Sequence, residues 1–97
     1  MSTWVLRAEG DDALVLRLPP GSIKTLGRTA RADFIVEAAL VSRVHCRFTA
    51  DRSGQLIVED LGSTNGTQVN GRTVGRAVLQ AEDRVTVGRL ELTVGTG

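Results

Sequence analysis

Hydrophobic and polar residues alternate along most of this chain, in short runs cut off by Gly, Pro, Asn and Asp. TWVLRAEG (3–10) alternates and ends at Gly10, and ALVLRL (13–18) stops at Pro19-Pro20-Gly21. SIKTLGR (22–28) runs into Gly27, and DFIVE (33–37) is brief and apolar. HCRFTA (45–50) alternates into the turn DRSG (51–54), and QLIVED (55–60) follows. TQVN (67–70) lies between two Asn-Gly pairs, and DRVTVGRLELTV (83–94) reads as two strands around Gly88-Arg89. A period of two sends alternate side chains to one face of a strand. Strands this short, with frequent turn signals, predict an all-β antiparallel sandwich or a barrel. The one helix-like stretch, IVEAALVS (35–42), is short and ends in a polar cluster, so it reads as a loop or a strand end. The terminal residues 92–97 are expected to fray.

Ninety-seven residues predict a single domain over 1–97. Hydrophobic residues at 41% and charged residues at 24% are normal for a globular domain, and a net charge of +1 supplies no global field toward nucleic acid or an anionic membrane. The basic residues are eleven Arg and one Lys, Lys24. Arg is the better partner for bidentate contact with carboxylate or phosphate, although codon usage in a GC-rich genome produces the same skew. Cys46 is the single cysteine, which leaves no internal disulfide. The start MSTWVLRAEG lacks the basic and long apolar regions of a signal peptide, and no apolar run is long enough for a spanning helix. An intracellular protein is expected, cytoplasmic in the first place and nuclear as the alternative. One His and one Cys offer no metal-ligand spacing, so neither a metal nor a cofactor is expected.

Function on a sandwich usually sits in the loops, and three loops carry unusual donors. GRTARAD (27–33) places Arg28 after Gly27, a residue suited to an unusual backbone angle or a close approach. VSRVHC (41–46) carries Ser42, Arg43 and His45, and GSTNGT (62–67) carries Ser63, Thr64 and Asn65. Each has a plain reading: a solvated arginine, a turn serine, a structural histidine. Asn65-Gly66 and Asn70-Gly71 both read locally as hairpin turns. Together, two arginines, hydroxyls and an amide are the donors a phosphate dianion requires. A phosphorylated side chain brings about −1.5 to −2 charges and three acceptor oxygens. Spacing permits these loops to converge and does not require it.

GR at 27–28, SRVH at 42–45 and DLGSTNGTQVNG at 60–71, in this order, resemble the forkhead-associated (FHA) domain family. LQAEDRVTVGRLEL (79–92) resembles that family's closing pattern, with Glu82 standing where the pattern has Gly. The resemblance spans nearly the whole chain. It implies a β-sandwich of ten or eleven strands that binds phosphothreonine on partner proteins through loops at one end. Carried over by position, Arg28 is the principal cation on the phosphate and Ser42 donates its hydroxyl to it. Arg43 is a further donor, Thr64 lines the pocket, and Asn65 bonds the peptide backbone beside the phosphothreonine. Gly27, His45 and Gly66 are architectural. The resemblance implies an upstream Ser/Thr kinase, a monomer, and no role for nucleic acid or membrane.

Two rivals need other features. Catalysis could use Ser42 as nucleophile, His45 as base and Asp33 or Asp60 as orienter, but the chain has no G-x-S-x-G elbow. Nucleic-acid binding has local charge at Arg28, Arg31, Arg43 and Arg47 but only Trp4, Phe34 and Phe48 for stacking. The stronger alternative is a phospho-independent protein-interaction or scaffold domain.

Overall fold

The computed structural model describes residues 2–8 and 11–97. Among the described residues, eleven strands form two sheets. They are β1 (Trp4–Ala8), β2 (Asp11–Leu18), β3 (Ser22–Gly27), β4 (Phe34–Ile35), β5 (Cys46–Ala50), β6 (Leu56–Asp60), β7 (Thr67–Val69), β8 (Arg72–Val74), β9 (Arg76–Leu79), β10 (Arg84–Val87) and β11 (Leu90–Thr96). One sheet has the order β2-β1-β11-β10-β7-β8 and the other β4-β3-β5-β6-β9. The pairings are antiparallel except β3 with β4, which is parallel. Glu9 and Gly10, the expected end of the first strand, lie outside the described residues.

The alternation read from the sequence becomes the sandwich core. Leu16, Leu6 and Val94 share one cross-strand row, and Val85 stands opposite Leu92. In the facing sheet, Phe48 stands opposite Val58 and Ala50 opposite Leu56. All of these side chains are buried in one apolar cluster. Burying a side chain of this size contributes about 1.5–3 kcal/mol. Cys46 lies in the same layer. Burial, with a smaller contribution from the Asp60 charge, pushes its thiol pKa up to about 12, so the thiolate is suppressed.

Two expectations change in detail. Of DFIVE only Phe34–Ile35 is strand, and the chain from Val36 to Val44 forms no helix or strand, in line with the loop reading of 35–42. Residues 92–97, expected to fray, are paired: β11 continues to Thr96, which stands opposite Trp4, and Gly97 N–H donates to Thr3 O at 3.0 Å. The terminal residues hold because β1 offers them a free strand edge. Two strands, β8 and β9, add to those read from alternation.

Turn chemistry sets the ends of the sandwich. Asn70 and Gly71 both have positive φ, 51° and 83°, between the paired residues Val69 and Arg72. This is the type I′ geometry that Asn-Gly favours. The Asn70 side chain also donates to Asp83 and accepts from Arg84 N–H, tying the hairpin to the start of β10. At the other hairpin, Gly88 has φ +60° between Val87 and Leu90.

Candidate functional site

The loops β3–β4, β4–β5 and β6–β7 meet at one end of the sandwich. Gly27 has no left-handed backbone angle. Its role is close approach: a Cβ there would lie 2.7 Å from the Arg43 carbonyl carbon and 2.8 Å from Val44 Cα. That clearance lets Arg28 N–H donate to Ser42 O at 3.0 Å and Thr29 N–H to Arg43 O at 3.3 Å. The first and second loops are therefore stitched backbone to backbone.

His45 holds the second loop to the third. Ser42 N–H donates to His45 Nδ1 at 3.0 Å, so that nitrogen carries the lone pair. The ring proton sits on Nε2 and donates to Gly66 O at 2.8 Å. The ring is fully buried, and both nitrogens are committed. His45 thus braces the second loop against the third.

Asp60 organises the third loop. Its carboxylate accepts from Gly62 N–H, Ser63 N–H, the Ser63 hydroxyl and the Thr67 hydroxyl. Partial burial raises its pKa, but the Ser63 and Thr67 hydroxyls, the Ser63 N–H and nearby His45 outweigh burial and hold it below the ordinary 3.8. Ser63 Oγ then accepts from Gly66 N–H, closing the turn at 2.9 Å. Gly66, at φ +81°, supplies the left-handed residue this turn requires.

Thr64 N–H donates to Ser42 Oγ at 3.0 Å and joins the loops at the site itself. Asn65 Nδ2 donates to Leu40 O at 3.1 Å, leaving its carbonyl oxygen and a second N–H unused among the described residues. Arg28 Nε donates to Val41 O at 3.0 Å, which fixes the guanidinium by one edge. Arg28, Ser42, Thr64 and Asn65 line an open concavity of about 300 Å³, completed by the segment Ala38–Val41.

Two groups in this concavity keep unused donors. Among the described residues no carboxylate pairs with Arg28. Ser42 Oγ accepts from Thr64 N–H, and nothing among the described residues accepts its own proton. Arg43 is exposed beside the concavity and is not part of its lining. The segment Ala38–Val41 was not legible as part of a site. It carries no charged or catalytic side chain, and its place depends on a distant contact. Gly88 approaches it so closely that a Cβ would lie 2.6 Å from the Leu40 carbonyl carbon, and Arg89 N–H donates to Ala39 O at 3.0 Å.

A family model described as the FHA domain matches residues 24–88. The chain belongs to the FHA domain family. Like other FHA domains, it is an all-β sandwich. It is 33% identical over its full length to 11% of the ABC transporter ATP-binding/permease protein Rv1747 of Mycobacterium tuberculosis. It is 39% identical over 73% of its length to 44% of the glycogen accumulation regulator GarA of Mycolicibacterium smegmatis. The chain thus spans less than half of each of these relatives. A solved FHA domain, described in a study of phosphothreonine-dependent FHA domain interactions, superposes with a TM-score of 0.86 at 29% identity. The match covers 95% of this chain and 94% of that one.

Proposed function

We propose that this FHA domain is a phosphothreonine-dependent protein-interaction module, with residues 1–97 acting as one binding unit. The observation that carries the reading is the convergence of unused donors, the remaining N–H groups of Arg28 and the Ser42 hydroxyl proton, on one concavity. An anion with several acceptor oxygens satisfies both. Phosphothreonine-dependent interaction in a relative of the same fold supports the choice of anion. In this reading Arg28 and Ser42 hold the phosphate, Thr64 flanks the threonine and Asn65 bonds the peptide main chain. Gly27, His45 and Gly66 keep the three loops in place.

The module performs no chemical step. His45 Nδ1 takes the Ser42 N–H rather than its hydroxyl, so serine and histidine are not set as nucleophile and base. A Ser/Thr kinase supplies the ligand, and the domain acts as a monomer without nucleic acid or membrane. The two relatives named above are bacterial, which favours a cytoplasmic setting over a nuclear one. Calorimetry with a phosphothreonine peptide and its unphosphorylated twin tests the reading. Binding is expected for the first alone, and equal binding of both would overturn it.

A further inference from the structure

The end of the sandwich opposite the three loops carries another concavity, of about 230 Å³. It lies where the start of β1 and the end of β11 meet the turns that precede β3 and follow β5. Pockets for drug-sized ligands span about 300–1,000 Å³, so this one suits a single side chain. Trp4 and Pro20 give it apolar surface. Trp4 stands opposite Leu18 and Thr96 and packs against the core, yet it is only half-buried, and the rest of the indole lines the concavity.

Asp51 is the one charged residue of the lining. Its Oδ1 accepts from the Ser53 N–H at 3.0 Å, the Ser53 hydroxyl at 2.7 Å and the Gln55 N–H at 2.9 Å. Asp51 N–H donates to Gln55 O at 2.9 Å and Gly54 N–H to Asp51 O at 3.3 Å, so the carboxylate is fixed in a tight turn. All three side-chain bonds fall on Oδ1, and Oδ2 accepts none among the described residues. The Ser53 hydroxyl first, then the Gln55 N–H, hold the carboxyl below the ordinary 3.8, and it is ionised at neutral pH. Two cations stand nearby. Arg52 Nε lies 3.3 Å from where a Cβ on Gly21 would be, and Arg17 Nη1 lies 3.7 Å from the same point on Gly97. Neither lines the concavity, and among the described residues neither pairs with Asp51.

A partly exposed indole beside a fixed carboxylate with a free oxygen complements a cation on an apolar stem. The stem covers the ring, and the charged head meets the carboxylate and the ring face. An uncharged side chain leaves Asp51 unpaired, and an acidic one is repelled by it. We propose that this concavity is a second binding site, which takes the lysine or arginine side chain of a partner protein. The inference goes beyond the phosphothreonine reading and does not depend on it, since Arg28 and Ser42 lie at the other end.

Trp4 is the single tryptophan and the chain has no tyrosine, so intrinsic fluorescence reports on this concavity alone. The test titrates four compounds: N-acetyl-arginine amide, N-acetyl-lysine amide, the uncharged N-acetyl-citrulline amide, and a neutral hexapeptide with one central arginine. The arginine and lysine compounds are expected to bind about three- to tenfold tighter than the citrulline compound. The hexapeptide is expected to bind tighter still, through contacts beside the arginine. Asp51→Asn keeps an oxygen for the turn and removes the charge. It is expected to bring the arginine compound down to the citrulline level, with a thermal midpoint that shows a folded chain and an unchanged affinity for a phosphothreonine peptide. Equal binding of the arginine and citrulline compounds, or an Asp51→Asn protein that keeps the difference, overturns the cation site. A hexapeptide that binds no tighter than the arginine compound overturns the partner protein as the source of the cation. No saturable change in Trp4 fluorescence, together with unmoved amide NMR signals at residues 51–54, overturns the site altogether. Failure of phosphothreonine binding would overturn the other reading and leave these outcomes as they stand.

Discussion

Arg28 and Glu82 are both exposed, yet each is held by a different constraint. Arg28 is placed by its Nε bond to Val41 O and lines the concavity with its other N–H groups unused. A charge-assisted hydrogen bond contributes about 1.5–3 kcal/mol, so Arg28→Ala is expected to weaken phosphopeptide binding by about ten- to a hundredfold. Because the side chain is exposed, the thermal midpoint should stay near that of the parent chain. Parallel melting and calorimetry check both halves, and full binding by a folded variant would place the site elsewhere. Glu82 stands at φ +76°, where side chains other than glycine are strained. Its mismatch with the family pattern was legible in the sequence, but the strain behind it was not. The left-handed conformation costs a non-glycine residue about 1–2 kcal/mol, and glycine returns about 0.5–1 of this in chain entropy. Glu82→Gly is therefore expected to stabilise the fold by up to about 1 kcal/mol in urea titration. Arg28, Ser42, Thr64 and Asn65 could be named from sequence because each carries a donor within an ordered motif. Ala39 and Leu40 could not, since small or apolar loop residues announce no chemistry.

Strands with a buried and an exposed face were the easiest elements to read, because burial enforces the alternation. The stretch RTVGRAVL defeated that logic. β8 and β9 are three and four residues long, lie at sheet edges and are separated by Gly75 alone, too short for a period to emerge. The pairing of the tail has a related cause: Thr96 stands opposite Trp4, at the other end of the chain, so no local pattern announces it. The β10–β11 hairpin shows how an element shapes the site without touching a ligand. Its Gly88 has φ +60° and sits against the Leu40 and Ala39 backbone. Any Cβ there must push the 38–41 segment outward, and overpacking of this kind costs about 1–3 kcal/mol. Gly88→Ala is expected to destabilise the fold by that amount. It should also weaken phosphopeptide binding, through the displaced wall and the lost anchor of Asn65 on Leu40 O. Retention of full affinity in a folded Gly88→Ala protein would show that the wall is not part of the binding surface.

Across the whole molecule, stability and binding should respond to pH in separate windows. Asp33, Asp51 and Asp60 each carry a pKa lowered from the ordinary 3.8. For Asp33 the first cause is the Thr25 N–H, and for Asp51 it is the Ser53 hydroxyl. For Asp60 the hydroxyls of Ser63 and Thr67 overcome burial. A carboxyl whose pKa is lower in the folded state releases its proton more readily there than in the unfolded chain. Its stabilisation is complete above the unfolded value and drains away as pH falls through the folded one. All three carboxylates hold loops or turns, so these groups leave stability flat above about pH 5 and make it fall below about pH 4. The ligand titrates elsewhere: the second proton of a phosphate monoester leaves near pH 6, and the dianion gives Arg28 and Ser42 the greater charge to hold. Phosphopeptide affinity is therefore expected to rise between about pH 5 and pH 7 while the urea midpoint barely moves. An affinity that follows the stability curve instead would mean that pH acts on the loops, and a flat affinity would mean that the site does not discriminate the dianion.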